Sequence, residues 1–155
     1  MLSPKLTSWH SQYELMKRSY ARLSNTYTSS VDYDDDLRHF FQDCWHLKDW
    51  IRYDKNVSSS VISKVEKEVN ARTALCIAGD LATGCKHLVL DRNRRKSSKG
   101  AEVISKSVTV DLGDGHADMH YVIRLDNGST LSAQDAARNA YNEWDALLRK
   151  LRLIK

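Results

Sequence analysis

One proline, six glycines and three cysteines are all that these 155 residues hold of the types that punctuate or staple a chain. Little proline and glycine excludes long flexible linkers, and the length suits one domain with a core of its own. Cys44, Cys76 and Cys85 form no C-x-x-C pair, and an odd count does not build a disulfide framework, so buried free thiols are expected. No apolar run approaches the roughly 18–20 residues that span a bilayer, so no membrane partner is expected. The opening Met-Leu-Ser-Pro-Lys lacks a basic region followed by an apolar stretch. A signal peptide is therefore not expected, and a cytoplasmic location is. Also missing are G-x-x-x-x-G-K-[ST], G-x-G-x-x-G after a strand, and G-x-S-x-G. Without them no nucleotide cofactor and no serine-hydrolase chemistry is expected.

What is present is helical periodicity. Leu6, Trp9, Tyr13, Met16, Tyr20 and Leu23 form one apolar stripe, predicting a helix over 4–24 with Ser3 as cap and Pro4 in its first turn. A second helix is expected from about Tyr33 to Tyr53, with Asp34, Asp35 and Asp36 at its positive end and Leu37, Phe40, Phe41, Cys44, Leu47 and Ile51 inside. A short helix over about 60–69 carries Val61, Ile62, Val65 and Val69. Another runs from Thr73 to about Leu88 with Ala74, Ala78, Leu81, Cys85 and Leu88 on one side. Gly84 within it suggests a close approach by a neighbouring group, although fraying near the helix end would also tolerate it.

After residue 100 the apolar period changes from 3.6 to 2. Strands are expected near 103–112, 119–126 and 129–132, with turns at Gly113-Asp114-Gly115 and at Asn127-Gly128. Ser132 should cap a final helix over 133–152, helped by Asp135. Ala137, Ala140, Tyr141, Trp144, Leu147, Leu148 and Leu151 give that helix a stripe too long for one hairpin to bury, so it should return to the bundle. The expected fold is mainly α, in the α+β sense: a helical bundle over 1–90, a basic loop over 91–100, a small antiparallel β-meander over 101–132, and a C-terminal helix over 133–155. All belong to a single domain.

Charge is distributed unevenly. The net formal charge is +4, yet residues 61–100 carry nine basic and four acidic groups, and five of the nine are Arg92, Arg94, Arg95, Lys96 and Lys99. Such a cluster can neutralise phosphates of RNA or of a nucleotide. No aromatic residue interleaves it, so base stacking is not indicated there. Upstream lie two polar helix faces of matching spacing: His39, Asp43, His46 and Trp50, and Cys76, Asp80, Thr83 and His87. If those helices are antiparallel neighbours, His46, His87, Asp43, Asp80 and Lys86 converge. A carboxylate-oriented histidine is then available as general base. The same residues serve equally as hydrogen-bonded polar groups that only specify helix packing. Asp114, His116, Asp118 and His120 alternate and would share one face of an extended segment, but the surrounding glycines favour a turn. No zinc-ligand spacing accompanies them, and no metal is expected.

The segments D-C-W-H-L-K-D-W (43–50) and D-L-A-T-G-C-K-H-L (80–88) resemble those of small, mostly uncharacterised bacterial and phage proteins that are HEPN-like. The resemblance covers roughly residues 8–95. It implies an α-helical bundle, often dimeric, in toxin–antitoxin or phage-defence settings. HEPN domains are either metal-independent endoribonucleases or non-catalytic modules that bind nucleotides, RNA or protein partners. Their catalytic motif is an arginine, usually followed by a polar residue, with a histidine four to six residues beyond the arginine. His87 matches the histidine, but Ala82 stands at the shortest-register arginine and Thr83 follows it. The missing arginine favours the non-catalytic expectation. The alternative is an endoribonuclease with His87 as base, oriented by His46 or Asp80, and with phosphate held by Lys86, Arg92, Arg94, Arg95, Lys96 and Lys99.

Overall fold

A computed structural model describes residues 8–24, 29–84 and 96–155. Its elements are α1 (Trp9–Arg22), α2 (Ser30–Tyr53), α3 (Ser59–Asn70), α4 (Thr73–Gly84), β1 (Glu102–Val110), β2 (Ala117–Arg124), β3 (Thr130–Ser132) and α5 (Ala133–Lys150). The fold is mainly α with a three-stranded antiparallel meander before the last helix, as the change of period implies.

Capping serines set the starts of α1, α2 and α5 and correct two boundaries. Ser8 is extended and its hydroxyl accepts the Ser11 N–H, so α1 begins at Trp9 rather than at residue 4. Ser3 and Pro4 lie outside the described residues. Ser29 caps α2 through the Val31 N–H. The helix therefore starts before Tyr33, and Asp32, not the Asp34–Asp36 run, occupies the first turn. Ser132 caps α5 as expected, accepting the Asp135 N–H at 3.0 Å. At the other end of α5, Arg152 takes a left-handed conformation (φ 58°). The Leu153 N–H reaches Leu148 C=O and the Arg152 N–H reaches Arg149 C=O, which closes the helix with a Schellman turn.

Against α2 pack α1, α3, α4 and α5. The shared core holds Met16, Phe40, Leu47, Ile51, Leu75, Trp144, Leu147 and Leu148, each essentially inaccessible to water. Helix α4 is the innermost. Its residues 75–82 are buried all round, so the expected division into an apolar and a polar side does not hold. A helix surrounded by protein needs no solvated face. Its polar groups bond within the fold instead: the Thr83 hydroxyl donates to Gly79 C=O at 2.8 Å, and the Cys76 thiol points at Asn70 C=O. Cys44 and Cys76 are both free and buried, and burial pushes the Cys44 thiol pKa up. Cys85 lies outside the described residues.

Asp54, just past α2, fastens the two ends of the bundle's outer layer. Its carboxylate accepts the Asn56 N–H at 2.8 Å and the Trp9 N–H at 3.0 Å. These two bonds, Asn56 first, hold its pKa below the usual carboxylate value. A depressed folded-state pKa gives stability that is present above the unfolded value and lost as pH falls through the folded one. Melting temperature is therefore expected to fall on acidification below the ordinary carboxylate range, and Asp54→Asn to flatten that slope. Glu68, lowered by its bond to Lys150, leaves a residual slope. An unchanged acid limb in Asp54→Asn would contradict this assignment.

Candidate functional site

The meander and the bundle meet along a cleft of about 520 Å3. One wall is the first half of α2, contributing Val31, Asp34, Asp35, Leu37, Arg38 and Phe41. The floor is the end of α4, with Asp80, Leu81 and Gly84. The opposite wall is the sheet: Ala101, Glu102, Val103 and Lys106, then Tyr121 and Ile123. This size and its largely apolar lining suit a small ligand or an inserted side chain.

Local folding explains the wall. Lys99, Gly100 and Ala101 form a strap between the two halves of the molecule. Asp80 Oδ2 accepts the Lys99 N–H at 2.7 Å and the Ala101 N–H at 3.2 Å. The Lys99 carbonyl accepts the Asp126 N–H at 2.9 Å. Gly100 has φ +61°, which strains any residue with a Cβ, and a Cβ there would fall 2.0 Å from Asp126 Oδ1, so a larger residue would also have to displace that carboxylate. Gly84 is different. Among the described residues a Cβ on it would meet nothing within 4 Å, so none of them makes the expected close approach, and this glycine borders the cleft at the end of α4.

Four carboxylates line the cleft, Asp34, Asp35, Asp80 and Glu102, against two cations, Arg38 and Lys106. Lys106 Nζ bonds Asp34 Oδ2 at 2.8 Å and lies 5.0 Å from the Tyr121 ring centroid. Arg38 pairs with Asp35 one turn earlier, and Glu102 with Arg124 across the sheet. Tyr121 stands edge-on to Tyr33 at 4.9 Å. Burial, followed by the Asp34 carboxylate, raises the Tyr121 phenol above its ordinary pKa, so it stays protonated.

Of the residues expected to converge, the structure places Asp80 in this cleft and turns its carboxylate to the strap. Asp43 faces α1: its carboxylate accepts the Ser19 hydroxyl, and its carbonyl accepts Gln12 Nε2 at 3.1 Å. His46 is half-buried on α2 and does not line the cleft. It follows Phe41 by five residues, roughly 140° further round the helix. Lys96 is exposed and Lys99 partly so, beside the strap. His87, Lys86, Arg92, Arg94 and Arg95 lie outside the described residues. His116 Nε2 contacts Asp118 Oδ1 at 3.0 Å, while Asp114 closes the turn by accepting the His116 N–H. Among the described residues no group of three metal-ligating side chains converges. No described helix is long and apolar enough to cross a membrane.

Sequence reasoning missed the strap, the α2 wall and the buried polar residues Gln12 and Ser19. Only Asp80 carried a signal, as a lone acid in an apolar run. No family model matches the chain, and no curated protein or solved structure does either.

Proposed function

We propose that the chain is a non-catalytic binding module, HEPN-like in the sense of its sequence resemblance, whose cleft takes an apolar side chain from a protein partner. The observation that carries this reading is the pairing of both cleft cations. Lys106 is held by Asp34 and Arg38 by Asp35, so a phosphate would have to displace a carboxylate from each. An apolar side chain loses nothing against Leu37, Phe41, Val103 and Ile123. Basic residues flanking it are favoured by the excess of carboxylates over cations in the lining. Asp80 supports the same conclusion: with two backbone N–H groups on one oxygen, it holds the wall in shape. The setting proposed with it is bacterial or phage stress, defence or counter-defence.

Gly84→Leu fills the cleft from its open floor and, by helix propensity, leaves α4 no less stable. The probe is a fluorescein-labelled, amidated peptide alternating lysine and leucine, followed by polarisation. Wild type is expected to bind it, and Gly84→Leu to bind at least about tenfold more weakly, about 1.4 kcal/mol. A single-stranded RNA oligonucleotide serves as the second probe. Failure of the peptide, or RNA retention that survives Gly84→Leu and is lost in an Arg94, Arg95 and Lys96→Ser variant, overturns the reading. Cleavage of total RNA by wild type but not by His87→Ala would overturn it in favour of the endoribonuclease.

A further inference from the structure

Strand β1 pairs with β2 along one edge, and among the described residues no strand covers the other. It is nine residues long, contains no proline, and is exposed over eight of the nine. Natural edges of this length are usually blunted by proline, by a bulge, by an inward charge or by a covering element. The one irregularity of β1, between Val103 and Ser105, lies near its start and leaves 105–110 in unbroken register with β2. Here the inward charge, Lys106, is drawn away to Asp34. Val108 and Val110, on the face of Lys106, remain 47% and 53% exposed.

The hydrogen-bond parity of this edge is determined. Asp111 N–H donates to His116 C=O at 2.8 Å, and antiparallel pairs alternate. Thr109 and Ser107 therefore spend their backbone groups on β2. Val110, Val108 and Lys106 direct theirs outward.

We propose that this edge joins a second copy of the chain, β1 against β1, antiparallel about a twofold axis at Ser107. A twofold interface requires a surface complementary to itself. An axis at Lys106 would oppose two ammonium groups, which disfavours it. With the axis at Ser107, Lys106 lies opposite Val108 of the second copy. Ser105 then lies opposite Thr109, and Ser107 opposite itself. Hydroxyls meet hydroxyls on one face, and the lysine stem covers valine on the other, both favourable cross-strand combinations. The strand's two charges keep their partners in their own chain, Glu102 with Arg124 and Lys106 with Asp34. The edge thus offers no free charge to select a foreign strand, and its self-match selects a copy. The contact is narrower than a standard interface, so association belongs in the micromolar range.

Sedimentation equilibrium from about 10 to 300 µM should show the mass rising from 17.8 kDa toward twice that value. Val108→Pro removes an outward N–H without touching the β1–β2 ladder. It should keep the wild-type circular dichroism and melting temperature and remain monomeric. Ser107→Cys tests the axis independently. Residues opposed in a non-hydrogen-bonded pair have Cα atoms about 4.5 Å apart, within disulfide reach. Mild oxidation should cross-link Ser107→Cys and leave Ser105→Cys uncross-linked. A wild type monomeric throughout, a dimer that survives Val108→Pro in the folded protein, or cross-linking by Ser105→Cys and not Ser107→Cys overturns the proposal. Pairing of a foreign strand with a monomeric chain overturns it as well.

Discussion

Trp144→Ala is expected to cost about 3–5 kcal/mol, a third or more of the stability of an ordinary domain. Trp144 is 1% exposed and its indole spans the seam between α5 and α2. Two contributions add. The larger is apolar: removing the ring opens a cavity in the buried core, which packed helices fill only in part. The smaller is polar, because Nε1 donates to the Cys44 carbonyl at 2.9 Å. That carbonyl sits inside α2, where the helix ladder also uses it, so losing the indole does not orphan it. Trp144→Phe separates the two contributions and should cost about 1–2 kcal/mol. Urea unfolding at constant m-value measures both. Equal losses for the two variants would show that the hydrogen bond, rather than volume, dominates.

Asp80→Ala is expected to cost about 3 kcal/mol by a different route. It removes a single acceptor on which two N–H groups converge, one of them, that of Ala101, buried. Buried donors left unsatisfied cost their full desolvation, about 1–3 kcal/mol each. Asp80→Asn keeps an acceptor oxygen and loses only the charge assistance, so about 1 kcal/mol is expected. The loss should also be local. Amide exchange at Lys99 and Ala101 should accelerate more than at Leu47 or Trp144, because the strap opens before the bundle does. If exchange rises uniformly, Asp80 acts on global stability and does not fasten the strap.

The readability of each part followed from how local its cause is. The α5 stripe, its Ser132 cap and the Asn127-Gly128 turn depend on residues a few positions apart, and all were legible. Gly128 takes the positive φ such a turn demands. Helix starts were less legible because several serines compete. Ser8 and Ser29 cap, while the aspartates at 34–36 resemble a first turn and occupy the second. Helix α4 misled because periodicity assumes a solvated face. In the innermost helix a 4-3-4 polar spacing marks internal bonds such as Thr83 to Gly79. The cleft was not legible, since its walls are brought together from residues 31–41, 80–84, 101–106 and 121–133. Asp43 shows the same limit. Its spacing put it on a face with His46, but nothing in that spacing said that Ser19 of α1 would claim it.

Ser132 is at once the last residue of β3 and the cap of α5, so the sheet passes into the helix without a linker. A flexible joint would let the meander swing while the helix stayed still. Here no slack exists to absorb such a swing. A pull on the outer strand is handed through β2 and β3 to α5, whose Trp144 is anchored in the bundle. The sheet is therefore joined to the core without a hinge segment at α5, and a load on its rim has its shortest covalent route into the bundle through that helix.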